Sequence, residues 1–251
     1  MFVTDFINAI KAYAKAIKLI QQLNLWKYFF VPAIIGLVVG GIIISIAYSI
    51  SDDIGNRIAS YWTFEFGKDA VETASQWVGF FLILFIGISI YKHIIMALSA
   101  PFMSPVSEKI EEHYTGKKIN LSDTIPEFLG LLVRGLKINL RNLFWELLYS
   151  IPLIILGFIP LFNLFSTALL FYIQSYYAGF GNMDYTMERH LNYKESIDFV
   201  RKNKGIAVGN GLIFTLMLFI PVVGIIITLP ISTVASTTET LKKLEVQRSM
   251  Y

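Results

Sequence analysis

The side chains that could do chemistry in this chain of 251 residues are few and scattered. The three histidines, His93, His113 and His190, match no metal-binding or catalytic-triad spacing, and cysteine is absent. A zinc site needs a cluster of His, Cys or carboxylate ligands, and an activated nucleophile needs a base within hydrogen-bond reach. The sequence therefore predicts neither an enzyme nor a metal site nor a bound cofactor.

Polar side chains inside apolar sequence are the other candidates. The two tracts 147–183 and 205–238 contain no charged residue, yet Asn163, Gln174 and Asn210 lie within them. Such side chains either hydrogen-bond one helix to another or line a polar pathway, and the sequence leaves both possibilities open. Gly205, Gly209 and Gly211 would allow close helix contact and have no phosphate-loop spacing.

The composition indicates the environment in which these residues lie. The chain is 55% hydrophobic and only 16% charged, whereas soluble domains carry about a quarter charged residues. Apolar runs longer than about 18 residues occur repeatedly, which is typical of an integral membrane protein. The net charge of +3 is small and dispersed, so no nucleic-acid partner is expected.

Two apolar runs predict helices that cross the bilayer. Residues 28–50 contain no charged side chain. As a helix they would be about 34 Å long, enough to cross a hydrocarbon core of about 30 Å. A loop over 51–72 and a second run over 73–91 follow, and Lys92 can snorkel to an interface if the helix ends near that residue. The 51–72 loop has two basic residues against five acids, whereas 92–142 is basic. By the positive-inside rule the 92–142 region and both termini should be cytoplasmic.

The first helix is predicted to be amphipathic. Over 2–20, apolar residues recur at helical spacing, while Lys11, Lys15 and Lys18 share the opposite face. We expect this helix to lie along the membrane surface or on the body of the protein. Residues 102–142 are expected to form further cytoplasmic amphipathic helices.

Both charge-free tracts are interrupted by Phe-Ile-Pro, at 158–160 and 219–221. Each tract must enter and leave on the same side, either as two full spans or as a re-entrant hairpin. The arm 143–157 and both arms around the second triplet have about 14–16 residues, short of the roughly 20 needed to cross, although 161–183 is long enough. The turns also carry almost no polar residues, which favours re-entrant hairpins. We therefore predict an all-α integral membrane protein of one polytopic domain, 1–251, with two transmembrane helices and two re-entrant hairpins.

Four segments resemble the CysZ-type sulfate transporter family, also described by an etoposide-induced-protein-like membrane domain. They are APFMSPVSEKIEEHYTGK from Ala100, the two turns FIPLFN and FIPVVGIIITLP, and the linker MDYTMERHLNYKESIDFVRKNKG from Met183. The resemblance covers nearly the whole chain in the same order. It implies a multi-pass bacterial inner-membrane protein that brings sulfate into the cell for assimilation as a channel-like permease. It also implies a homo-oligomer with two full spans and two hemi-penetrating hairpins in the lipid bilayer.

In that family a Gly-apolar-Arg-Arg motif at the start of the first long membrane helix holds sulfate. The matching residues here are Asn24, Leu25, Trp26 and Lys27, so the glycine and both arginines are replaced. A helix N-terminus with a nearby cation suits an anion, but a lysine supplies only a point charge. Asn24 is expected to cap the helix with its side chain and to compete for the free N–H groups. Lys27 as an interface anchor and Trp26 as a belt aromatic are the alternatives.

The resemblance also supplies candidates for the permeation pathway. Glu108 and Glu111 match acidic positions of the family and either line a vestibule, form a solvated helix face, or pair with basic residues nearby. Those basic residues are Arg134, Lys137 and Arg141. Asp184, at a membrane boundary, is either an interface charge or a proton relay. The pathway candidates are thus Glu108, Glu111, Arg141, Asn163 and Asp184. A non-transporting membrane scaffold or assembly protein of the same fold is the alternative function.

Overall fold

The structure is a computed structural model that describes residues 2–60, 83, 85–118, 124–220 and 223–248. Within those residues the regular structure is entirely helical. In chain order the helices are α1 (Phe2–Gln22), a 3₁₀ helix (Leu25–Phe29), α2 (Phe30–Ser60), α3 (Phe85–Leu98), α4 (Ala100–Thr115), α5 (Ile125–Gly157), α6 (Asn163–Met187), α7 (Tyr193–Lys202), α8 (Lys204–Leu218) and α9 (Val223–Arg248).

Two of the described helical segments, Leu25–Ile46 and Ile125–Gly157, are long and apolar enough to cross a membrane. The pair α3 and α4 is a third candidate, with a bend of 66° between its helices. The bend follows from Pro101 in the first turn of α4, because proline lacks the N–H that would continue the α3 ladder. The prediction of an all-α integral membrane protein is confirmed. Most of the second predicted span, 73–91, lies outside the described residues.

Helix α2 is longer than expected. It has 31 residues and ends at Ser60, so the prediction that a loop begins at residue 51 is wrong. Asp52 and Asp53 mark where the chain stops being apolar, but charged residues do not end a helix in the way that Pro or a C-terminal Gly does. A helix of this length is about 46 Å long and extends well beyond a hydrocarbon core of about 30 Å.

The first hairpin also has a longer arm than expected. Helix α5 is continuous over 33 residues, or about 50 Å, from a capping box formed by Thr124 and Glu127 to Gly157. The prediction of a separate short arm over 143–157 is therefore wrong, since the cytoplasmic helix and that arm are one helix. The break itself lies at the predicted place, where the Asn163 side-chain amide donates to the carbonyl oxygen of Gly157 at 2.8 Å. Pro221, at the second apex, lies outside the described residues.

Close helix contacts hold the body of the protein together. On α6 and α8 two small-xxx-small pairs face each other, Ser175 with Gly179 and Ala207 with Gly211. A Cβ added to Gly211 would lie 1.8 Å from the Ser175 carbonyl oxygen, and one added to Gly179 would lie 1.8 Å from that of Ala207. The close helix contact expected at the glycines of α8 is confirmed.

Helix α1 packs on α8 and α9, on the body of the protein. Its buried face carries the small residues Ala9, Ala12 and Ala16, whereas the bulky Val3 and Ile7 are exposed. The apolar face of α1 predicted from the sequence is therefore only partly the face that packs on α8 and α9. Small side chains occur on that face where Gly205 and Gly209 of α8 bring the two backbones close together, and the larger Tyr13, Leu19 and Ile20 complete it.

Candidate functional site

The segment 24–27 begins the first long apolar helix. Asn24 has φ 50° and ψ 50°, in the left-handed region, and its side chain makes no capping hydrogen bond. The predicted capping role of Asn24 is therefore wrong. Glycine and asparagine are the residues that adopt this backbone conformation most readily. Asn24 thus retains a turn that suits the glycine implied by the family resemblance.

The next three residues separate into a buried anchor and an exposed surface. Leu25 is buried in the core together with residues of α4, whereas Trp26 is 50% exposed and its ring packs beside Phe29. Lys27 is exposed, with its ammonium 5.1 Å from the centre of the Tyr28 ring. The segment thus presents one cation at the start of a membrane helix.

A second group of charged side chains lies inside the protein between α3 and α5. Lys92 Nζ is 2.8 Å from Glu146 Oε1, and both side chains are 0% exposed. The prediction that Lys92 snorkels to an interface is wrong, because the carboxylate of Glu146 receives its ammonium within the helix pair. Ser89 Oγ donates to the same Oε1 at 2.7 Å, and His93 Nε2 lies 2.9 Å from Oε2.

His93 has a polar neighbour at each ring nitrogen. Its Nε2 is 2.9 Å from Glu146 Oε2, and its Nδ1 is 3.3 Å from Asn139 Oδ1. Asn139 Nδ2 donates to the Gly135 carbonyl oxygen at 2.9 Å, which orients the amide so that its oxygen faces the ring. A cavity of ≈ 50 Å³ between α3 and α5 is lined in part by His93 and Asn139.

Around the end of α6 the acidic candidates are paired. Asp184 forms two hydrogen bonds with Arg134, at 2.8 and 3.2 Å, and Arg134 also donates to Leu191 O and Ser196 Oγ. Asp184 was expected to be either an interface charge or a relay. It is a buried member of an ion pair that ties α5 to the C-terminal end of α6.

Glu111 has partners other than those predicted. Its carboxylate binds Arg189 at 3.0 Å and lies 2.9 Å from His190 Nε2, instead of reaching the basic residues of α5. Glu111 and Glu108 are both buried, so the expectation of a solvated helix face is wrong. The acidic face of α4 is covered because this helix packs against α6 and α9.

Glu188 directly follows α6, close to Asp184 and Arg189, and lies outside both segments that are apolar enough to cross a membrane. Ser104 Oγ donates to its carboxylate, and Arg189 lies 3.8 Å away. Burial, with a smaller contribution from the charge of Asp184, raises the pKa of Glu188 to about 8. This carboxyl is therefore mostly protonated at neutral pH.

The remaining polar candidates have local partners. The Arg141 guanidinium donates to Asn142 Oδ1 at 3.0 Å and lies 5.5 Å from the centre of the Phe180 ring. Asn163 is exposed at the hairpin turn. Asn210 accepts from Asn182 at 2.9 Å and donates to the Ser232 carbonyl at 3.1 Å, so it hydrogen-bonds helix to helix. The structure therefore does not bring the five pathway candidates together at one place.

Comparison with known proteins identifies the family. A family model described as "Sulfate transporter CysZ/Etoposide-induced protein 2.4" matches residues 12–228. The chain belongs to the CysZ family. A protein named sulfate transporter CysZ from Pseudomonas paraeruginosa is 25% identical over 223 residues, which cover 84% of this chain and 86% of the relative. The sulfate transporter CysZ of Pseudomonas aeruginosa is 24% identical with the same coverage. That of Vibrio parahaemolyticus is 28% identical over 153 residues, or 60% of this chain and 61% of the relative.

The CysZ family match includes both the 24–27 segment and the buried group of Lys92, His93 and Glu146. Sequence analysis missed the buried group, because Lys92 looked interfacial and His93 isolated. One signal was available: Glu146 is the only charged residue between Arg141 and Asp184. A lone carboxylate in such an apolar stretch requires a cation on a neighbouring helix, and the histidine and lysine at the end of the preceding apolar run are the nearest candidates.

Proposed function

We propose that this protein carries sulfate or a related oxyanion across the bacterial inner membrane, as a channel-like permease that feeds sulfur assimilation. The observation that carries the proposal is membership of the CysZ family, with relatives named sulfate transporters that align over 84% of the chain. Transport without chemical conversion fits that family. The N-terminus and C-terminus are proposed to be cytoplasmic.

The 24–27 segment is proposed as a binding site for the anion, at the cytoplasmic end of the first membrane helix. The left-handed turn at Asn24 and the exposed ammonium of Lys27 support this role. The two arginines of the family motif would supply several hydrogen bonds in a planar arrangement, whereas one lysine supplies a point charge. We therefore expect weaker and less selective oxyanion binding at this segment than the family motif provides.

Sulfate uptake by liposomes that contain the purified protein tests the proposal. Lys27→Ala is expected to reduce uptake at low sulfate concentration about tenfold, because a hydrogen bond to a charged group contributes about 1.5 kcal/mol. Lys15→Ala is the matched control, since Lys15 is also exposed but lies on α1. It is expected to leave uptake unchanged.

The two ways of failing have different meanings. If the wild-type protein moves neither sulfate nor thiosulfate, the transport proposal is rejected and the scaffold or assembly role becomes the leading alternative. If uptake occurs but Lys27→Ala equals Lys15→Ala, only the proposed binding site at 24–27 is rejected.

The tip of the first hairpin is proposed to lie within the membrane. Leu161 is 83% exposed and Leu164 is 84% exposed, and large exposed apolar side chains at a turn suit lipid better than water. The absence of native cysteine allows a direct test with an impermeant thiol reagent. Leu161→Cys is expected to react slowly from either side, and Lys194→Cys, in the exposed linker, readily from the cytoplasmic side alone. Rapid reaction of Leu161→Cys from outside would reject the partial-depth hairpin.

The single domain 1–251 and the homo-oligomer stay predictions.

A further inference from the structure

Three side chains of α3 surround one carboxylate in the interior of the protein. We call Ser89, Lys92 and His93 the α3 cradle. All three donate to Glu146, two of them to Oε1 and one to Oε2, at 2.7 to 2.9 Å. We propose that the α3 cradle is an internal oxyanion site of the permeation path, and that Glu146 is a resident carboxylate which a passing oxyanion displaces. This inference rests on the proposed transport of oxyanions.

The charges of the cradle suit an anionic guest. Lys92 is paired as an ammonium with the carboxylate of Glu146, and both side chains are fully buried. A charge away from water is costly unless an opposite charge stays beside it. An oxyanion in the place of the Glu146 carboxylate would supply that negative charge and would also offer acceptor oxygens to Ser89 and His93.

The geometry of the donors also suits an oxyanion. A carboxylate and a tetrahedral oxyanion both offer pairs of oxygens that accept charge-assisted hydrogen bonds. Ser89 lies one turn before the neighbouring residues Lys92 and His93 on the same helix. Lys92 Nζ also donates to the Gln174 carbonyl oxygen at 3.4 Å. The cavity of ≈ 50 Å³ that adjoins His93 has apolar walls, so the guest would have to occupy the place of the Glu146 carboxylate itself.

The cradle lies where a permeating ion would need a binding site. Glu146 belongs to α5, one of the two segments able to cross a membrane, and the cradle belongs to α3, two turns before the bend at Ser99. The side chains of Lys92 and Glu146 are both 0% exposed. Ionisable groups at such depth commonly mark an ion pathway, because burying them without use is unfavourable.

Removal of the resident carboxylate tests the proposal without relying on transport. Glu146→Ala is expected to lower the unfolding temperature of the purified protein, because the buried Lys92 ammonium loses its partner. Sodium sulfate at millimolar concentration should then raise that temperature by about 5 °C more than sodium chloride of equal ionic strength does. Glu146→Gln is the matched control: its amide fills the same space, so sulfate should add no more stability than it adds to the wild type. A sulfate effect on Glu146→Ala no larger than on Glu146→Gln would overturn the proposal.

A milder variant provides the second measurement. Ser89→Ala removes one neutral donor and leaves the ion pairs, so the protein should fold even if Glu146→Ala does not. The sulfate concentration for half-maximal uptake is expected to rise about fivefold, in line with the loss of one hydrogen bond. An unchanged half-saturation, with normal unfolding temperature, would contradict a role in binding the ion. Absence of uptake by the wild type would reject the proposed function, whereas normal uptake by every cradle variant would reject only the cradle.

Discussion

Replacement of Gly211 by alanine is expected to lower the free energy of unfolding by at least about 3 kcal/mol. The added Cβ would lie 1.8 Å from the Ser175 carbonyl oxygen and 2.6 Å from the Gly179 nitrogen. Both atoms belong to backbone, so no side-chain rotation can relieve the overlap, and α6 and α8 must move apart. Overpacking normally costs 1–3 kcal/mol and costs more where the backbone cannot yield. For a chain of this size the unfolding temperature in detergent should fall by about 10 °C.

The control for this prediction is Gly130→Ala on α5. A Cβ at Gly130 meets no atom within 4 Å, so alanine should stabilise the helix by about 0.5–1 kcal/mol through its higher helical propensity. Equal unfolding temperatures for the two variants would contradict the close α6–α8 contact.

Replacement of Arg134 by methionine is expected to destabilise the protein by about 3 kcal/mol, because Asp184 would remain buried without its cation. The guanidinium makes two hydrogen bonds to Asp184 and also satisfies the Leu191 carbonyl and the Ser196 hydroxyl. Methionine keeps much of the apolar length of the side chain, so lost packing contributes little. Chemical or thermal unfolding of the purified protein measures the effect.

Two further variants test whether the lost ion pair with Asp184 causes the destabilisation of Arg134→Met. Lys137→Met, one turn further along α5, removes an exposed ammonium that lies 4.5 Å from the Tyr193 ring, and should cost at most about 1 kcal/mol. Arg134→Met combined with Asp184→Leu removes both charges and should recover most of the lost stability, as replacement of whole buried pairs often does. A double variant less stable than Arg134→Met alone would contradict the ion-pair explanation.

Some helix ends can be predicted from the residues near them, and others cannot. The Phe-Ile-Pro break after Gly157 was predictable from the local sequence, because proline restricts its own backbone. Proline alone does not decide a break, since Pro105, Pro152 and Pro230 lie inside helices. The ends assigned from charge were not predictable: α2 continues past Asp52 and Asp53, and α5 runs through Arg141 and Glu146 without interruption. Charge reports where a helix meets water, and helices commonly extend beyond that point.

The candidate site also has some features that were predictable from the sequence and others that were not. The place of the 24–27 segment at the start of a membrane helix followed from hydropathy and family resemblance. The left-handed backbone of Asn24 did not, because it depends on how α1 turns into the 3₁₀ helix while Leu25 enters the core. The local preference of asparagine for helix N-caps predicted a hydrogen bond that this turn does not allow.

By itself, the sequence determined that this is an all-α membrane protein of the CysZ family with paired proline breaks. Those properties depend on composition, on residues near one another in the chain, and on order along it. Only the tertiary structure decided which ionisable groups meet: Lys92 and His93 with Glu146, Arg134 with Asp184, and Glu111 with Arg189. The members of each pair come from different segments of the chain and carry no mark of their partner. They meet because close packing of the helices buries them, and a buried charge is stable only beside its opposite.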